Sequence, residues 1–142
     1  MRRAWTRPST PCGGVALISD ERLQVSGAGA LAESILATGF PYQRQGTRSS
    51  NLENFSTLFR EVRDLRRMGS AALDLAYVAA GRFDGFWELQ LAPHDVAAGA
   101  LLVREAGGLV TDLDGGEDWL RGGHILAAGP ALHASLLRRL VH

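Results

Sequence analysis

The stretch Glu88-Leu89-Gln90-Leu91-Ala92-Pro93-His94-Asp95-Val96-Ala97-Ala98-Gly99 decides how this chain is read. A strand stops at Pro93, and a helix opens behind it on Asp95, with Ala97, Ala98 and Gly99 following. The Asp95 carboxylate then lies at the C-terminal end of a strand, where open α/β sheets gather their sites. There it can hold a divalent cation or polarise a water. It can equally be no more than the N-cap of the helix, which Asp performs well. Glu88, near the end of the same strand, points at the same crevice. His94 beside Asp95 suggests either acid–base work or a polar neighbour of the cap. The small residues at 97–99 let the helix lie close to another backbone.

Outward from that stretch, elements alternate. Phe83 to Leu91 reads as a strand with Phe83, Gly85, Trp87, Leu89 and Leu91 on one face. Its other face carries Asp84, Phe86, Glu88 and Gln90. Ala71 to Ala80 is small and apolar on nearly every face, which predicts a buried helix ended by Gly81. Gly69-Ser70 opens it. The free N–H groups and the Ser70 hydroxyl can bind an anion, or Gly69 can simply end one helix and Ser70 cap the next. Leu52, Phe55, Leu58, Phe59, Val62 and Leu65 recur at helical spacing and predict an amphipathic helix over 51–68 capped by Asn51. Ser34 to Phe40 reads as a buried strand stopped by Pro41, and 43–50 as a polar loop. Val15 to Ile18 with Arg22 to Ser26 suggests a hairpin.

Downstream, a helix is expected over 95–106, strands over 109–113 and 124–128, and a last helix over 131–141. Asp112 to Gly116 lacks the remaining ligands of a calcium loop and reads as a turn. The alternation predicts an α/β domain with strands 34–40, 83–91, 109–113 and 124–128 in one sheet.

Composition narrows the function classes. The chain has 142 residues, 46% apolar and 21% charged, which suits one globular domain. Residues 1–14 hold Arg and Pro without an acid and predict an irregular segment ahead of a domain over 15–142. The 15 basic residues balance 15 Asp plus Glu, so no broad face attracts nucleic acid or anionic lipid. No apolar run spans a membrane, and no secretory leader follows the first Arg residues; a cytoplasmic protein is expected. There is no Lys, which excludes a P-loop lysine and Schiff-base chemistry on this chain. The single Cys12 excludes an internal disulfide and a cysteine zinc cluster.

Five segments in fixed order carry a resemblance: Ala37-Thr38-Gly39-Phe40-Pro41-Tyr42; Arg66-Arg67-Met68-Gly69-Ser70-Ala71-Ala72-Leu73-Asp74; Ala79-Ala80-Gly81-Arg82-Phe83-Asp84-Gly85-Phe86-Trp87-Glu88; Pro93-His94-Asp95-Val96-Ala97-Ala98-Gly99; and Glu105-Ala106-Gly107-Gly108. From about Leu23 onward, the chain resembles the C-terminal half of the inositol monophosphatase-like family of magnesium-dependent phosphatases. The resemblance implies half of a layered α/β sugar-phosphatase fold, with a central mixed or mostly parallel sheet flanked by helices.

By the same resemblance, Asp95 matches a ligand of a catalytic Mg2+. Glu88 matches an acidic residue that binds substrate hydroxyls. Gly69, Ser70 and Ala71 match the loop and helix start that line the substrate pocket. His94 stands where the family usually has Trp. The implied substrate is a small phosphorylated polyol such as inositol phosphate, and the implied partner is a second copy or a complementing N-terminal half. Family members are about twice as long. Their N-terminal half carries a Glu ligand and an Asp-Pro-x-Asp-Gly-Thr motif that this sequence lacks, so no catalytic residue is assigned here and only weak Mg2+ binding is expected. The alternative is a non-catalytic remnant or interaction module of the same fold.

Overall fold

The computed structural model describes residues 17–18, 20–41 and 51–141. In chain order the elements are β1 (Leu17–Ile18), β2 (Glu21–Arg22), β3 (Ile35–Thr38), α1 (Leu52–Phe59), β4 (Asp64–Arg66), α2 (Ala71–Ala79), β5 (Gly85–Glu88), α3 (Pro93–Glu105), β6 (Leu109–Thr111), β7 (Ile125–Ala128) and α4 (Pro130–Leu137). The irregular segment expected over 1–14 and the loop expected over 43–50 lie outside the described residues.

Five strands form one sheet in the order β4-β3-β5-β7-β6. β3 runs parallel to both β4 and β5, pairing Leu36 with Leu65 and with Gly85. β7 runs antiparallel to β5 and β6. The sheet is therefore mixed, and all four expected strands are in it.

The fifth strand, β4, replaces the second half of the helix expected over 51–68. α1 stops at Phe59, and the Val62 N–H closes onto the Leu58 carbonyl. The chain then extends so that Arg63 and Asp64 donate to the Ser34 carbonyl. Leu58, Val62 and Leu65 still pack into one apolar cluster, so the periodic burial is real. A helix, a turn and an edge strand deliver it instead of one helix. Asn51 does precede α1, but its side chain makes no capping bond.

β5 is the axis of the packing. Phe86 enters a cluster with Leu75, Val78, Val96, Ala100 and Val103, while Trp87 enters one with Leu58, Leu132 and Leu136. Both aromatic rings are fully buried. Helices α2 and α3 thus cover one face, and α1 and α4 the other. The strand is shorter than the alternation over 83–91 suggested, because Gln90 takes a left-handed backbone that ends it. α2 and α3 meet at Gly99, where an added methyl would lie 2.6 Å from the Leu75 Cβ.

The hairpin is minimal. β1 and β2 pair two residues each, and the segment expected to continue to Ser26 leaves the pairing at Arg22. The Val25 N–H instead donates to the Ala106 carbonyl at the end of α3. The last helix ends at Leu137 rather than 141. Asp112 accepts from the N–H groups of Asp114 and Gly116, which makes the loop the expected turn.

Candidate functional site

The C-terminal ends of β3 and β5 open onto a cleft of about 180 Å3 lined by Thr38, Gly39, Phe40, Arg67, Gly69, Ser70, Ala71, Asp74, Glu88, Leu91 and Asp95. All five residues singled out from the sequence, Gly69, Ser70, Ala71, Glu88 and Asp95, border it. They arrive from three elements that chain order alone does not bring together. β5 delivers Glu88 with its last residue, Pro93 turns the chain into α3 to present Asp95, and Gly69 turns it into α2. At Gly69, φ is +83°, which favours glycine. Gly69 follows an extended segment, not a helix.

Ser70 is the N-cap of α2, and its Oγ accepts a long bond of 3.4 Å from the Leu73 N–H. Asp95 lies three residues past the N-cap, Ala92: Pro93 takes the first helical position, and the Asp95 carboxylate reaches back to accept from the Ala92 N–H at 3.1 Å through Oδ2. Helix-end bonding and a place in the cleft thus coexist, and Oδ1 is left facing His94 at 3.6 Å, too far for a hydrogen bond. His94 is largely exposed and does not line the cleft.

The acids behind Asp95 are more buried. Burial above all, with the nearby charges of Asp74 and Asp95, pushes the Glu88 carboxyl up to about 7 against the opposing charge of Arg67. Burial also pushes Asp74 up to about 6, again against Arg67. Asp74 is only 1% exposed, and its Oδ1 has no hydrogen-bond partner among the described residues. Sequence reasoning quoted Asp74 inside a motif but gave it no part in the site. Its signal was a lone acid in a helix apolar on nearly every face.

A second group missed from the sequence lies under the floor of the cleft. The buried Asn51 amide donates to the Gly39 carbonyl at 2.6 Å and to Thr38 Oγ1 at 2.9 Å. Its oxygen accepts from Trp87 Nε1 at 2.7 Å and from Asn54 Nδ2 at 3.3 Å. Thr38 Oγ1 in turn donates to the Trp87 carbonyl.

A cation would find Asp95 half exposed at the cleft mouth, with one oxygen uncommitted to the helix. Among the described residues, no three His, Cys, Asp or Glu side chains are grouped to hold a metal ion. A carboxylate with one oxygen left over at a cleft has the chemistry to serve as one ligand of a hydrated Mg2+, an ion that keeps several of its waters.

Comparison with known proteins agrees with this layout. The profile of the Inositol monophosphatase family matches residues 8–142. An inositol-1-monophosphatase of Mesorhizobium japonicum is 46% identical over 130 residues, 92% of this chain and 49% of that protein. The Escherichia coli K12 protein named Nus factor SuhB is 48% identical over 128 residues, covering 90% and 48%. The solved structure of the extragenic suppressor protein SuhB from Bartonella henselae superposes with a TM-score of 0.81 at 45% identity, over 89% of this chain and 50% of that one. The chain spans about half the length of the curated relatives it matches.

Proposed function

The chain belongs to the inositol monophosphatase family, and on that premise we propose that its domain over 15–142 is the substrate-side half of a magnesium-dependent phosphomonoesterase acting on small phosphorylated alcohols such as inositol phosphate. The observation that supports this reading is the convergence of Asp95, Glu88 and the Ser70 helix start on one cleft. The free N–H groups at the start of α2 and the Arg67 guanidinium suit phosphate oxygens. Glu88 suits the hydroxyls of the alcohol, which it orients by accepting their protons in hydrogen bonds. Asp95 would hold one Mg2+, which when bound supplies charge neutralisation and an activated water. A cytoplasmic setting and assembly into a homodimer or with a complementing N-terminal half belong to the same reading.

The test is release of phosphate from myo-inositol 1-phosphate with Mg2+, by the chain alone and mixed with the separately expressed N-terminal half of the Mesorhizobium relative. We expect negligible turnover alone, turnover in the mixture, and none in the mixture with Asp95→Ala. Robust turnover by the chain alone, lost in Asp95→Ala, would show that a ligand set within this chain suffices.

A second reading, a non-catalytic binding module of the same fold, is favoured by the lack of a three-membered metal-ligating group among the described residues. A relative 48% identical is named a Nus factor, not a phosphatase. Inactivity in every mixture would select this reading.

A further inference from the structure

Gly39 follows β3 directly, and its backbone is not in the left-handed region that calls for glycine. The reason for glycine there is space. A methyl on Gly39 would lie 2.2 Å from Glu88 Oε1 and 2.3 Å from both Cδ and Oε2. The whole Glu88 carboxyl group therefore occupies the volume a side chain at 39 would fill. The seat itself cannot retreat. The Gly39 carbonyl is held by Asn51 Nδ2 at 2.6 Å, and Thr38 Oγ1 is tied to the Trp87 carbonyl at 2.7 Å, one residue before Glu88.

We propose that Gly39 is the seat of the Glu88 carboxyl group, drawing that acid back against β3 so that the cleft stays open to a ring-bearing polyol; it is a positioning residue, and its link to a polyol rests on the function proposed above. A side chain at 39 meets the far end of a flexible side chain rather than rigid backbone. The carboxyl group is then the part that yields. It swings into the cleft, takes volume from the ligand and loses its aim at the ligand's hydroxyls. The floor of β3 thus sets which alcohols fit, while the helix start at Ser70, which suits phosphate, is untouched.

The experiment uses the full chain as wild type, Gly39→Ala, Glu88→Ala and the double variant. The first readout needs no ligand: NMR of side-chain carboxyl carbons, with Glu88→Ala identifying the Glu88 resonance. In Gly39→Ala that resonance should move to the position of solvated Glu, while backbone amide signals away from β3 and β5 stay in place. An unmoved Glu88 resonance overturns the proposal. The second readout is binding of myo-inositol 1-phosphate with Mg2+, with inorganic phosphate as control. Gly39→Ala and Glu88→Ala should each weaken the polyol phosphate by about tenfold and leave phosphate unchanged, and the double variant should be no weaker than Glu88→Ala alone. Additive losses overturn the proposal. If wild type fails to bind the polyol phosphate while the resonance moves as expected, the functional reading fails and the seat stands. If Gly39→Ala does not fold, the double variant should, because removing the carboxyl empties the seat; failure of both overturns it.

Discussion

Two sets of polar side chains meet at the cleft that Gly39 lines, and they are built on opposite principles. Beneath it, Asn51 uses both amide hydrogens and both acceptor positions of its oxygen. Within the cleft, Asp74 keeps an oxygen without a hydrogen-bond partner among the described residues, and Asp74 and Glu88 are pushed up to about 6 and about 7. A satisfied network specifies structure, whereas acids buried without partners cost stability and are retained where a ligand uses them. The difference separates the part of the cleft that holds the fold from the part that the proposed function assigns to the ligand.

The comparison breaks first at Asn51. Asn51→Ala would strand Trp87 Nε1, take the Asn51 donor from the Gly39 carbonyl, and leave Thr38 Oγ1 only its bond to the Trp87 carbonyl, all in the buried interior. We expect a loss of about 3 kcal/mol, read as a fall of roughly 10 °C in thermal midpoint. A loss under about 1 kcal/mol would mean that water replaces the amide and that the two groups are not different in kind.

Asp74 sharpens the comparison with the opposite sign. Its carboxyl titrates near 6 in the fold against 3.8 ordinarily, so between these values the folded chain binds the proton that the unfolded chain releases. Stability therefore falls as pH rises through that window, and the penalty is complete above about 6. Asp74→Asn removes the charge. It should stabilise the chain by about 1–2 kcal/mol at alkaline pH and by little below the ordinary carboxylate value. Thermal unfolding at both pH values checks this, and destabilisation at alkaline pH would reveal a partner for the carboxylate.

The two groups also differ in how far they could be read in advance. Asp95, Glu88 and Gly69 announce themselves through local punctuation: a Pro, a Gly and a strand end close in sequence. The fold's four main strands were legible for the same reason. Asn51 was read as a helix cap because Asn before an apolar-periodic run does cap helices. Its left-handed backbone, φ 62°, turns the amide inward instead, toward Trp87, 36 residues away. β4 was hidden because burial spaced as in a helix can be produced by a turn and an edge strand. Gly39 carried no local signal, since the group that fills its missing side chain comes from another strand.

The smallest expected effect on stability is at Asp95, and it tests whether that residue belongs with the chemistry or the fold. Its carboxylate is partly exposed and accepts a helix-end bond from the Ala92 N–H in the first turn of α3. Removing such a group costs about 0.5–1 kcal/mol, from the lost bond and the lost charge near the helix N-terminus. Asp95→Asn keeps an oxygen able to accept from Ala92 but removes the charge, so it should recover about half of that loss. Neither change should alter turnover of the chain alone, which is expected to be negligible. In the mixture with a complementing half, Asp95→Asn should be nearly as inactive as Asp95→Ala, because a neutral amide is a poor ligand for Mg2+. Parallel denaturation curves and phosphate-release assays separate the two roles. If activity in the mixture tracks stability across Ala and Asn, Asp95 is a helix-end residue and the cleft has no metal ligand at that position.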